Sequence, residues 1–196
     1  MRVRALTWAS DKALLVQAGA ELGIDLRAWS VQELLNPDTL EECRRSLNDA
    51  DVILVHPTHD GRFDELLDTD KPVIAFGFDP ALWSFSRNVS QKVVASVNAY
   101  VVYGGLENIR NMLLYVGNEV LGLDLPFKPP QETLWQGIYH PDSGKVFSTV
   151  EEYLEWRPFR HEHTVGILFF RTYWANGDLE IVDHLIQSGE PGYDIP

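Results

Sequence analysis

The chain has 196 residues, 45% of them hydrophobic and 23% charged, and a formal net charge of −13. That size suits one domain or one domain plus part of a second, with enough apolar material for a core. The negative field repels phosphate backbones, which argues against a nucleic-acid partner, and no apolar run approaches the roughly 20 residues of a membrane helix.

The first 77 residues alternate between strand and helix patterns. VRALTW (3–8) reads as a strand, followed by a helix with Ser10 as its expected N-cap and Gly23 as its stop. IDLRAW (24–29) is a second strand, and Ser30 is placed to cap a short helix. Pro37 opens a helix over 37–50, DVILVH (51–56) is a strand apolar enough to be buried on both sides, and GRFDELLD reads as helix. KPVIAFG (71–77) is the fourth strand. This alternation predicts an α/β fold with a doubly wound parallel sheet.

Two helices follow, over 90–104 with Ser90 as cap and over 105–122. In the second, Leu106, Ile109, Leu113, Val116 and Val120 make one apolar seam. Residues 123–147 read as a Pro-rich ordered linker expected to lie against a surface. STVEEYLEWR (148–157) is a helix with Ser148 and Glu151 at capping-box spacing. HTVGILFFRTYW is expected to be a fifth strand, with an amphipathic helix after Asn176-Gly177-Asp178. The resulting division is 1–122, a flavodoxin-like α/β domain with C-terminal helices; 123–147, the linker; and 148–196, a helix plus the first strand-helix unit of a second, incomplete α/β domain. One strand and one helix cannot bury their own apolar faces. VGILFF is therefore expected either to join the first domain's sheet or to pair with another chain.

In a doubly wound sheet, ligands sit beyond the carboxyl ends of the strands. Those ends carry Thr7 to Asp11, His56 to Asp60, and Gly77 to Asp79. No Gly-x-Gly-x-x-Gly or Walker sequence is present, so a phosphate cradle is unsupported. His56 and His59, with Asp60, have a spacing that could hold a metal on a turn; the competing reading is a polar loop with a capping Asp. A small-molecule ligand in this crevice is a further option. His161 and His163 fall in a charged run that reads as solvated loop. In WQGIYHPD (135–142), Gly137 is expected to permit a tight turn, and Tyr139 and His140 offer faces and donors to a flat macrocycle; alternatively, Trp135 and Tyr139 pin the linker to the domain. Arg171, Tyr173 and Trp174 could pair with a carboxylate and stack on a planar ligand, or simply form a strand-to-helix turn. Cys43, the only cysteine, has no internal disulfide partner and reads as a packed thiol in a reducing cytoplasm.

Taken in order, IDLRAWS (24–30), DVILVHPTHD, YGGLENIRNMLLYVGNEVLG, WQGIYHPD and VGILFFRTYWANGD resemble the start of the cobaltochelatase large subunit, CobN type, and more distantly the magnesium chelatase large subunit. The resemblance implies a cytoplasmic enzyme of cobalamin biosynthesis whose large subunit holds hydrogenobyrinic acid a,c-diamide while cobalt is inserted. It implies AAA+-type partner subunits that hydrolyse ATP, so this segment binds no cofactor, and cobalt and ATP belong to the whole complex. Family large subunits are much longer, and no family chelation residues are recognised here. The expectation is an N-terminal segment, inactive alone. The alternative is a stand-alone tetrapyrrole- or partner-binding module.

Overall fold

The computed structural model describes residues 1–57, 65–77, 79–160, 162–189 and 193–195. It divides into two compact units, Met1–Gln131 and Glu132–Pro196, each described by itself.

The first unit is a parallel sheet covered on both faces. β1 (Arg2–Thr7), α1 (Ala9–Glu21), β2 (Asp25–Ser30), α2 (Pro37–Asn48), β3 (Val52–Val55) and β4 (Val73–Ala75) follow one another, with the sheet order β2-β1-β3-β4. Every strand pair is parallel. Side chains alternate across a strand, so β3 feeds two cores. Val52 and Leu54 pack in one cluster with Leu15, Val97 and Met112. Ile53 and Val55 pack in the other with Cys43 and Leu47 of α2. The run VILV is fully buried because both faces are covered. Of the expected helix over 61–68, residues 61–64 lie outside the described residues and 65–66 are helical.

Local chemistry sets the boundaries. The turn from β1 to α1 is one residue long, so Trp8, not Ser10, takes the N-cap position and supplies no side-chain bond. Gly23 lies just past the helix end with φ +66°, the left-handed conformation expected of a stop. Pro37 occupies the first turn of α2, where its missing N–H costs nothing, and Asn36 caps it by accepting from Asp38 and Thr39 N–H. Ser30 and Glu33 bond reciprocally at a 3-10 turn over Glu33–Leu35. α3 (Gln91–Tyr103) is capped by Ser90, and α4 (Leu106–Leu121) ends at left-handed Gly122.

The segment after α4 lies along α3 and α4, stapled by side-chain amides. Asn118 donates to Leu125 O, Asn111 accepts from Lys128 N–H, and Asn108 both donates to Gln131 O and accepts from its N–H. Tyr100 donates its hydroxyl to Lys128 O at 2.6 Å. Side-chain amides satisfy a backbone that Pro126, Pro129 and Pro130 keep out of regular structure. The compact units divide at Gln131, inside the 123–147 stretch read as a linker.

A charge network ties α1, α4 and this strap. Arg110 donates to Glu21 at 2.6 Å and to Glu107, and Lys128 reaches Glu107 at 3.2 Å. The Arg110 hydrogen bond, then that of Lys128, pulls the Glu107 carboxyl down to about 2. Glu21, Asp25, Glu33 and Asp51 are also shifted downward, each by a bonded cation. A carboxyl depressed on folding stabilises above its unfolded pKa, and that stabilisation is lost as pH falls through the folded value. The melting temperature is therefore expected to hold from pH 7 to 5 and to drop steadily from about 4.5 toward 2, as read by circular dichroism. An unchanged melting temperature at pH 3 would contradict these pairings.

The second unit holds a two-residue antiparallel hairpin, β5 (Ile138–Tyr139) with β6 (Val146–Phe147), then α5 (Val150–Trp156), α6 (Arg171–Asn176) and α7 (Glu180–Gly189). α5 is capped one residue later than expected: Thr149 accepts from Glu152 N–H, and Glu152 accepts from Ser148 N–H. The expected fifth strand is corrected. Residues 165–170 form no strand and join no described sheet, and Arg171 to Asn176, read as the strand end and turn, form a helix. The cause is a missing neighbour, since a strand persists only with a partner to take its backbone groups. The segment keeps strand-like alternation: Ile167 and Phe169 pack on Val182 and Ile186, whereas Leu168 is fully exposed and Phe170 78% exposed.

Candidate functional site

The hairpin and α6 bring the aromatic residues of the second unit around one cavity. Trp135, Gly137 and Tyr139 come from the hairpin side, Ile167 and Phe169 from the extended segment, and Arg171 and Trp174 from α6; the cavity holds about 180 Å³. Arg171 opens α6 and is held by hydrogen bonds to Leu134 O at 2.7 Å and to Thr133 Oγ1. Its guanidinium lies 4.9 Å from the Trp135 ring centre, a cation–π contact. Burial lowers its pKa from the ordinary value. A partly desolvated cation against an indole face favours an anionic group on a flat, apolar ligand.

Tyr139 donates to Asp183 Oδ1 at 2.8 Å, and burial, reinforced by that carboxylate, pushes its hydroxyl up to about 12. It therefore stays a neutral donor with a ring wall toward the cavity. Tyr173, 41% exposed, sits on α6 outside the cavity lining. His140 is fully buried, with its ring near Tyr153 and Trp156. Arg157 Nη1 lies 2.8 Å from Nε2 and the Asp142 N–H 3.2 Å from Nδ1. So of the five sequence candidates here, Tyr139, Arg171 and Trp174 meet at the cavity. Trp135, Ile167 and Phe169 join them. Sequence reading saw Trp135 only as an anchor.

The second candidate lies in the first unit. His56 follows β3 and Thr7 ends β1, the two strands between which the sheet order reverses. His56 Nδ1 is 2.9 Å from Asp11 Oδ2, and Thr7 Oγ1 donates to the same oxygen at 3.3 Å. Trp8 meets the imidazole edge-on at 5.8 Å between centres. His59 lies outside the described residues. Among the described residues, no group of three or more His, Cys, Asp or Glu could hold a metal ion. Asp11 was in view as a strand-end residue, but no spacing rule joins it to a histidine 45 positions away. Cys43 is fully buried, and burial pushes its thiol up to about 12, which leaves it unreactive at neutral pH.

The CobN/Magnesium Chelatase family model matches residues 98–192. The chain is 28% identical over 202 residues to an uncharacterised Methanocaldococcus jannaschii protein, MJ1441, covering all of this chain and 15% of that one. It is 32% identical over 114 residues to a second from the same organism, MJ0908, covering 56% of this chain and 9% of that one. The chain thus spans a small part of the curated relatives it matches. In fold it is similar to the catalytic subunit of cobaltochelatase from Mycobacterium tuberculosis, with a TM-score of 0.59 at 18% identity, over 99% of this chain and 16% of that one. No described helix is long and apolar enough to cross a membrane. The likeness to the CobN/magnesium chelatase family thus rests on residues 98–192, and over nearly the whole chain it is a likeness of fold.

Proposed function

We propose that this chain is the N-terminal segment of an ATP-dependent cobaltochelatase large subunit, inserting cobalt into hydrogenobyrinic acid a,c-diamide in cobalamin biosynthesis. The family match over residues 98–192 carries this reading. ATP is hydrolysed by AAA+-type partner subunits, and the work is cytoplasmic. The segment's own contribution is a contact with the macrocycle edge. Its cavity of about 180 Å³ is smaller than the roughly 300–1,000 Å³ of sites that enclose a whole ligand. It suits a pyrrole edge or a carboxylate arm, with Arg171 taking the charge and Trp135 the flat surface. The extended 165–170 segment is where the rest of the large subunit, or a second copy, adds a strand.

A second reading, a stand-alone tetrapyrrole-binding module, is favoured by one observation: the cavity is lined entirely from within 132–196. Titration of metal-free hydrogenobyrinic acid a,c-diamide, followed by tryptophan fluorescence, tests the site. Saturable binding is expected, weakened about 10- to 100-fold in Arg171→Ala, the size of one charged hydrogen bond of about 1.5–3 kcal/mol. Full binding in Arg171→Ala would refute the cavity as the site. Cobalt insertion by this chain with no further large-subunit sequence would refute the segment reading.

A further inference from the structure

The sheet face beneath α2 changes character along its length. Side chains alternate across a strand, so Arg2, Arg4 and Leu6 of β1 share a face with Asp25, Arg27 and Trp29 of β2. Leu6 and Trp29 pack in the core with Cys43 and Leu47 of α2. Toward the amino ends of the strands the same face becomes wholly charged. There the register sets Arg4 directly beside Arg27, and like charges at paired positions are unfavourable. α2 and its C-cap meet this end with Glu42, Arg45, Ser46 and Asp49, spaced three and four residues apart on one side of the helix. The two surfaces line one cavity of about 400 Å³, within the roughly 300–1,000 Å³ of ligand sites.

Four arginines against three carboxylates leave this lining at +1 in a chain of −13. Two ion pairs here are closed: Arg4 bonds Asp25 at 3.0 Å, and Arg2 bonds Asp51 at 2.9 Å. The buried Arg4 pair is not what stability demands, since apolar replacements of such pairs are often neutral. It fixes a permanent cation at the cavity floor. The other charges are open. The Arg27 guanidinium stands 4.0 Å from Asp25 and 3.9 Å from Glu42, beyond hydrogen-bond reach. Arg45 donates through Nε alone, to Glu41 O at 3.3 Å. Among the described residues, the side chains of Arg27, Glu42, Ser46 and Asp49 make no hydrogen bond.

A plain anion in this cavity would meet the open carboxylates of Glu42 and Asp49, and a plain cation would meet the guanidinium groups. A ligand with both charges close together satisfies both sets, each through charge-assisted hydrogen bonds. Arg27 Nη1 and Glu42 Oε1, 3.9 Å apart, set such a donor beside such an acceptor. We propose that this cavity binds a small zwitterion of the α-amino-acid class, its carboxylate on Arg27 and Arg45 and its ammonium on Glu42 and Asp49. Arg2 and the Ser46 hydroxyl favour a polar side chain on that ligand. The site depends on neither the chelatase reading nor the Arg171 cavity.

L-Asparagine is the probe, compared with succinamate, which lacks the ammonium, and β-alaninamide, which lacks the carboxylate. In amide-resolved NMR titrations of the whole chain, L-asparagine is expected to give saturable shifts at residues 2–4, 25–27 and 42–49. Arg27→Gln is expected to weaken it about 10- to 100-fold, with the wild-type circular dichroism retained because Arg27 is exposed. Glu42→Gln is expected to weaken L-asparagine and not succinamate. No saturable shift at these amides in the wild type would overturn the proposal and reduce the lining to its own ion pairs. Succinamate or β-alaninamide binding as tightly as L-asparagine would overturn it as well, as would L-asparagine binding that survives Arg27→Gln unchanged.

Discussion

Gly137→Ala is expected to destabilise the 132–196 unit by about 3 kcal/mol, the upper range for forcing a methyl into packed surroundings. A Cβ at this position would stand 2.3 Å from Val146 Cγ1 and 2.8 Å from Phe147 O. The first contact involves a β-branched side chain with few alternative rotamers, and the second is backbone. Neither relaxes without parting β5 from β6. The damage then spreads, because Phe147 is 1% exposed and meets Tyr153 at 5.5 Å and Trp156 at 5.3 Å. The same hairpin supports Trp135 and Tyr139, so the cavity opens with it. Hydrogen exchange should accelerate first at residues 138–147, and the urea midpoint should fall. A wild-type midpoint would show that the hairpin does not need the bare glycine. The requirement is close approach. The bend over residues 135–136 precedes Gly137, which is itself not among the residues with positive φ, and a β-strand begins immediately after it.

The doubly wound sheet was legible because its signals are local. Apolar runs such as VILV, Pro37 opening a helix, Ser90 before another and Gly122 after the next each act within a few residues. The hairpin was not legible, since two-residue strands carry no period to detect. Residues 165–170 mislead for the opposite reason. Val165, Ile167, Phe169 and Phe170 have strand-favouring side chains, but strand formation is decided by a neighbour that composition does not specify. The helix Arg171–Asn176 was hidden because Thr, Tyr and Trp are indifferent helix formers. It is closed by Gly177 at φ +72°, which the sequence shows only as part of Asn-Gly-Asp. The candidate sites follow the same rule. Arg171 and Trp174 are close in sequence and were read together. Their meeting with Trp135 and Tyr139, and that of Asp11 with His56, depends on chain crossings.

The buried guanidinium of Arg4 sets the second large effect. Arg4 lies on β1 with its side chain 4% exposed. Nη1 donates to Val3 O at 2.9 Å and to Asp25 O at 2.8 Å, and Nη2 reaches Asp25 Oδ2 at 3.0 Å, while Nε is buried without a partner. Taking this cation out of water costs several kcal/mol, and the Asp25 carboxylate offsets most of it. Asp25→Ala therefore strands a charge inside the sheet edge. Breaking a buried pair typically costs about 3–5 kcal/mol; since Asp25 is itself half-exposed, about 2–3 kcal/mol is expected here. Arg4→Met fills the space without the charge and should change stability by less than about 1 kcal/mol. In the Arg4→Met background, Asp25→Ala should then cost almost nothing, and the difference is the coupling. The Arg4 hydrogen bond holds the Asp25 carboxyl below its ordinary pKa, so its contribution is present above the unfolded value near 3.8 and fades as pH falls below it. The wild-type advantage over Asp25→Ala should accordingly shrink between pH 4 and 2 in urea titrations. An Asp25→Ala cost below about 0.5 kcal/mol at pH 7 would mean that water reaches Arg4 and that this end of β1 is not the dry edge its burial indicates.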